Sequence, residues 1–224
     1  MRKARMTFSI VAREPSSGRL GVAVTTCHFA VGATVPFARA GCGGLATQAS
    51  TNPLYGVDGL LLLEQGMSAA EVVSRLTGAD RGREHRQVIV VGANGDTAGW
   101  TGEETVGWAG HKTADSVAVA GNMLTGPHVV DATLAAYRNA TGGELADRLL
   151  GALQAGEAKG GDKRGRQSAA LYIVDTEPYA ALDLRVDNHA DPLGELAVLL
   201  RESRQPYVAD FRASLPTRHN PHSY

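Results

Sequence analysis

The chain reads as an α+β protein, a four-layer α/β/β/α sandwich in which two antiparallel sheets face each other and helix pairs cover their outer sides. Three observations predict it. Strand-like runs come in hairpin-linked groups, with helical segments in pairs between them. Those runs are apolar on both faces, without inside–outside alternation, so each sheet needs cover on both sides. The 27 glycines and only 5% aromatic residues, with many Ala and Val, suit thin layers stacked closely. At 224 residues the chain fits one domain with a sizeable core, expected over residues 7–203. An extension over residues 1–6 precedes it, removable or a misassigned start, and a loose tail over 204–224 follows.

Taken in order, residues 7–13 and 19–26 are β-branched runs joined by Glu14-Pro15-Ser16-Ser17-Gly18, which predicts a hairpin. A Gly- and Ala-rich strand covers residues 41–49. A helix runs from Pro53 to Gln65, stopped by Gly66, and a capping box from Ser68 to Glu71 starts a second helix to Leu76. Residues 78–86 read as a polar loop. A second β region pairs residues 87–91 with 97–101 about Asn94-Gly95, a hairpin-turn dipeptide, and residues 106–109 and 116–120 extend it. Pro127 suits the first turn of a helix to Tyr137, and residues 143–154 make another. A Gly- and Lys-rich loop over 156–166 leads to a strand over 167–174. A late strand over 181–186 and a helix over 192–201 close the domain. Beyond Pro206 the sequence has no periodicity.

A formal charge of −1 gives no reason to expect nucleic acid or an anionic membrane as partner. No stretch is long and apolar enough to span a bilayer. Cys27 and Cys42 make no disulfide framework, and the basic start Met1 to Arg5 leads to no signal-peptide cleavage site, so a cytoplasmic location is expected. The histidines His28, His85, His111, His128 and His189 lack ligand spacing and there is no Cys-x-x-Cys, so neither a metal nor an organic cofactor is implied.

The chemistry points to the first strand. Thr7 follows Met6, and a threonine hydroxyl needs a neighbouring base before it attacks anything at neutral pH. A peptide nitrogen cannot serve. A free α-amine can, because its ordinary pKa of about 7.7–8.0 lies near working pH. Counting back from the turn pairs Thr7 with Thr26 and brings Thr25, Cys27 and His28 close, so hydroxyls, a thiol and an imidazole line the mouth. The plain alternative is an ordinary strand threonine. Adjacent strand residues point to opposite faces, which weighs against a Cys27–His28 thiol site.

Several segments resemble one bacterial family: Thr7 to Arg13, Gly21 to Val24, Val35 to Gly41, Ala46 to Ala49, Asn52 to Gly56, Trp108 to His111, Gly121 to Gly126 and Gly160 to Ala169. It is domain of unknown function 1028, placed in the N-terminal nucleophile (Ntn) hydrolase superfamily and sometimes mislabelled a fimbrial assembly protein. The resemblance runs from Met6 to Arg201. It implies an Ntn-hydrolase-like sandwich with Thr7 as nucleophile, and names no substrate. Family members begin at the Met-Thr pair, whereas this chain carries five residues ahead of it. Its lysines, at positions 3, 112, 159 and 163, leave none on the first three strands, unlike the proteasome branch, so the α-amine is expected as sole base.

Other residues complete the expected site. Asn122 follows a strand and precedes a helix, so its side-chain N–H can hold an oxyanion; the alternative is a turn asparagine capping that helix. In the loop from Gly160 to Ser168, Asp162 can hold the α-ammonium, and Arg164 or Arg166 a substrate carboxylate; the alternative is a solvated loop. Asn52 and Tyr55 stand where a pocket wall is expected, although Asn52-Pro53 also reads as a simple helix start. Gln48 is a polar residue in an apolar strand, suited to bonding a buried backbone group. The expected function is an N-terminal threonine amidohydrolase cleaving a C–N bond in a small amide, with Thr7 and Asn122 catalytic and Thr26, His28, Asn52, Asp162 and Arg164 contacting substrate. A homodimer is expected from close stacking and an exposed edge of the second sheet. The competing reading is a non-catalytic binding or scaffold protein on the same fold.

Overall fold

The structure is a computed structural model and describes residues 7–161 and 165–223. Two antiparallel sheets organise it. The larger contains β1 (Thr7–Arg13), β2 (Leu20–Thr26), β7 (Trp108–Ala114), β8 (Val117–Leu124), β9 (Ser168–Val174) and β10 (Leu182–Val186), in the order β10-β9-β2-β1-β8-β7 with these strands. The smaller contains β3 (Pro36–Arg39), β4 (Gly43–Ala49), β5 (Arg86–Gly92) and β6 (Thr97–Thr101), in that order. Six α-helices complete the described residues: α1 (Pro53–Glu64), α2 (Ala69–Ala79), α3 (His128–Asn139), α4 (Leu145–Ala158), α5 (Pro192–Glu202) and α6 (Pro206–Ser214).

Alternate residues of each central strand enter different apolar layers, which is why the strands read as apolar on both sides. Phe8, Ile10 and Ala12 of β1, with Val117 and Val119 of β8, pack against Val129, Leu149, Leu153 and Leu196 of α3, α4 and α5. Val11, Val22, Val24, Ala118 and Ala120 instead meet Ala46, Ile89 and Val91 of the other sheet. On the far side of that sheet Leu45, Val88 and Val90 pack against Tyr55, Leu60, Leu63, Val72 and Leu76 of α1 and α2. Burying a Leu or Ile side chain contributes about 1.5–3 kcal/mol, so these three layers supply most of the driving force.

Local chemistry fixes the element ends. Gly18, at φ +79°, closes the β1–β2 turn by donating to Glu14 O at 2.8 Å, and Glu14 N donates to Arg19 O at 2.8 Å. The capping box forms: Ser68 Oγ accepts from Glu71 N at 3.3 Å, and Glu71 Oε2 accepts from Ser68 N at 2.8 Å. Gly56 on α1 lies so close to β3 that an added Cβ would sit 2.3 Å from the Phe37 ring, which only glycine avoids.

Four expectations change. β3 is a strand not anticipated, four residues at a sheet edge and begun by a proline, too short to carry a periodic signal. β7 and β8 leave the second β region for the sheet of β1, where β8 pairs with β1 and β7 with β8, because β8 is apolar on both faces and needs a central position. The loop expected over 78–86 starts later, since α2 continues to Ala79, and contains a 3-10 turn over Arg83–His85. The tail is partly helical: α6 has proline in its first turn but buries no residue, so no apolar stripe announces it.

Candidate functional site

Thr7 opens β1, a central strand, and its register partners are Thr26 on β2 and Asn122 on β8. Its side of the strand faces the other sheet, as Ser9 and Val11 do. Thr7 is 8% exposed, and its hydroxyl lies 3.0 Å from that of Thr26. The pairing counted from the turn is therefore the pairing found.

At this end of the inter-sheet layer the residues change from apolar to polar on five strands. Val11 gives way to Ser9 and Thr7, Val24 to Thr26, Ala46 to Gln48, Ile89 to Gln87 and Ala120 to Asn122. The five replacing residues other than Thr7 are at most 2% exposed. Buried polar groups must find partners, and these find one another. Ser9 Oγ donates to Gln48 Oε1 at 2.7 Å. Gln48 Nε2 donates to Gln87 Oε1 at 2.7 Å and to Thr7 O at 3.4 Å. Asn122 Nδ2 donates to the same Gln87 oxygen at 3.2 Å.

Gln87 is the hub. Its Nε2 faces Gly121 O at 3.0 Å, Gly110 O at 3.1 Å and Thr101 Oγ1 at 2.9 Å. Two carbonyl acceptors on one side and two amide donors on the other leave a single orientation for its amide. Beyond it Thr101 Oγ1 lies 2.8 Å from His111 Nδ1, and burial pushes the His111 pKa down, which favours the neutral ring. A hollow of about 430 Å³ opens there, lined by Thr101, Gly102, Glu103 and His111 among others.

The backbone is strained on both sides of this cluster. Non-glycine residues with positive φ are Ala30, Ala49, Ser116 and Met123 among the described residues, and two of them directly follow Gln48 and Asn122. Ala49 has φ +69° and Met123 φ +58°. Such a conformation costs roughly 1–2 kcal/mol per residue and persists only where surrounding structure imposes it. At Met123 the cause is a β-bulge: Trp108 pairs with Leu124 and Gly110 with Gly121, so Asn122 and Met123 together oppose Ala109. The bulge re-aims Asn122, and its amide keeps a second hydrogen with no partner among the described residues.

The remaining expected residues divide. Thr26 belongs to the cluster. The His28 side chain is exposed, with Nδ1 2.8 Å from Phe29 O. Asn52 caps α1, its Oδ1 accepting from Leu54 N at 3.2 Å, and lines a separate hollow beside Tyr55 and Asp80. Asp162 and Arg164 lie outside the described residues. Arg166 is held by Glu157 at 2.5 Å and Asp191 at 2.9 Å, which ties the loop to α4 and to the start of α5. Gln48 does bond a buried backbone group, the carbonyl of Thr7. Gln87 and Ser9 escaped the sequence reading; the available signal was a polar residue at the same end of each apolar strand. Among the described residues no group of three His, Cys, Asp or Glu side chains could hold a metal ion, and no helix is long and apolar enough to cross a membrane.

The fold and this cluster define a mixed α/β protein whose two antiparallel sheets meet in a polar end. The chain belongs to the DUF1028 family, described as a family of unknown function, whose model matches residues 7–196. It is similar to a protein of Silicibacter pomeroyi, assigned to the same family and solved as a crystal structure. The two share 30% sequence identity over 97% of this chain and 95% of that one, with a TM-score of 0.91. No curated protein matches the chain.

Proposed function

We propose that the protein is an Ntn-type amidohydrolase on an Ntn-hydrolase-like sandwich, with Thr7 as nucleophile once the peptide bond before it is cleaved. The observation that carries this reading is the placement of Thr7 between Thr26 and Asn122 at the polar end of the two sheets. In the proposed reaction Thr7 Oγ1 attacks the amide carbon of a small substrate while the α-amine of Thr7 takes the hydroxyl proton. The free Nδ2 hydrogen of Asn122 bonds the oxyanion of the tetrahedral intermediate. The C–N bond then breaks, the leaving nitrogen takes the proton from the α-ammonium, and an ester to Thr7 remains. Water, deprotonated by the same amine, hydrolyses that ester and restores the hydroxyl. Thr26, 3.0 Å from the nucleophile, orients its lone pairs.

The test starts from the mass of the mature protein made in its native host, and then screens amides and ureides. Material beginning at Thr7 that turns over a substrate, with Thr7→Ala folded but inactive, supports the proposal. Mature protein still carrying Met6, or a Thr7→Ala variant with undiminished turnover, overturns it in favour of a binding or scaffold role.

A further inference from the structure

The outer face of α1 is dressed for burial yet lies bare. Leu54 is 63% exposed, Val57 50% and Leu61 44%. At 100° per residue these three fall on one stripe, while Tyr55, Gly56, Gly59, Leu60 and Leu63 fill the inner face. A helix apolar on both faces is normally covered on both. The sheet edges expected to carry a partner are less suited: β3 has four residues, and β6 lies half-buried throughout.

We propose that this face of α1 and the adjoining flank of α2 form the interface of a homodimer with two-fold symmetry. Shape and charge both point to a second copy. Beside the stripe, a hollow of about 500 Å³ between the helices is lined by Leu54, Leu61, Leu62 and Leu76, with Asp58 on one helix and Arg75 on the other. Leu54 and Leu61 of the stripe form one wall of this hollow, and Val57, which stands outside it, is the stripe residue left to enter the partner's hollow. Asp58 and Arg75 are in no ion pair among the described residues. A two-fold axis makes residue i meet j while j meets i, so it would pair each Asp58 with the partner's Arg75. A membrane surface would call for an excess of basic residues around the stripe, and Asp58, Asp80 and Arg75 do not provide it. Two helices of 12 and 11 residues lying side by side present a face about 18 Å by 20 Å. At roughly 360 Å² in projection this lies below the roughly 800 Å² per partner of a standard interface, in the range of small interfaces whose occupancy depends on concentration.

Sedimentation of the full chain over a concentration series tests this, with circular dichroism confirming that each variant is folded. The wild type is expected at twice the chain mass of 23.4 kDa. Leu61→Glu, and independently Leu54→Glu, should weaken association at least about 100-fold by burying an unpaired charge. Asp58→Arg and Arg75→Asp should each weaken it about 10-fold through a like-charge contact, and the double reversal should return to within about threefold of wild type. A wild type that stays monomeric overturns the proposal, and so leaves the face to another partner. It is equally overturned by a dimer indifferent to Leu61→Glu and Leu54→Glu, or by a double reversal no better than its singles.

Discussion

Gln87 should be the most sensitive side chain in the polar end, and its charge state can be set by pH in a near-isosteric variant. Replacing it with leucine removes the acceptor for Gln48 Nε2 and Asn122 Nδ2 and the donor to Gly110 O and Gly121 O. Each buried group left unpaired costs about 1–3 kcal/mol, with partial relief from the added apolar surface, so Gln87→Leu should lose about 4 kcal/mol. For a chain of this size that lowers Tm by about 8–16 °C. Gln87→Glu is the sharper test. Its carboxylate keeps one oxygen for Gln48 and Asn122 but turns the other against two carbonyls. Only the protonated acid, whose O–H can donate to one of them, fits the site. The folded pKa therefore rises above the ordinary carboxylate value. By linkage the contribution of this group is fully present below about pH 4.3 and is lost as pH rises through the folded pKa. Each unit of elevation removes about 1.4 kcal/mol at high pH. Thermal unfolding from about pH 4 to about pH 9 reads this directly: the gap to wild type should be small in acid and wide in base. A gap that is constant across that range, or a Gln87→Leu variant as stable as wild type, would refute the hub assigned to this residue.

Further outcomes concern single contacts. Gly102→Ala should destabilise by about 1–3 kcal/mol in denaturant melts, because the new Cβ would lie 2.3 Å from the Glu84 carbonyl oxygen, a backbone atom that cannot swing aside. At Asp80 burial raises the pKa, but bonds from Gly82 N, Tyr55 and Arg86 outweigh it and the net direction is downward. Its stabilisation is accordingly present above about pH 3.9 and lost as pH falls through the folded pKa, so Asp80→Asn should lower Tm near neutrality and converge on wild type in acid. On the proposed reaction, Thr26→Val should reduce kcat about 10-fold with KM unchanged, since the hydroxyl at 3.0 Å from Thr7 orients the nucleophile and not the substrate. A matched rise in KM would assign Thr26 to substrate binding instead.

Local chemistry was legible in the sequence, and remote pairing was not. The turn over Glu14 to Gly18 gave the β1–β2 register because a hairpin's count is fixed by its loop, and Ser68 with Glu71 located the start of α2. The assignment of β8 to β1 could not be read, since it depends on which strand is left beside Thr7 after the chain has crossed to the other sheet and back. The same crossing hides the bonds from Gln87 to Gln48, Asn122 and Thr101, which join strands of both sheets. Residue type alone marked Gln48 as out of place in an apolar strand, and Asn122 was expected after its strand, whereas β8 runs on through it to Leu124. Residue type did not reveal that one amide holds both, nor that His28 turns toward solvent.

The two neighbours of β1 arrive at very different times during synthesis. β2 follows within one short turn, but the strand carrying Asn122 emerges roughly a hundred residues later, about 5–20 s at ribosomal elongation rates. Until then one edge of the first strand stands open to solvent. On the proposed function, an exopeptidase trimming the nascent chain ahead of Thr7 would meet an unpaired first strand edge during that interval and a paired one after it.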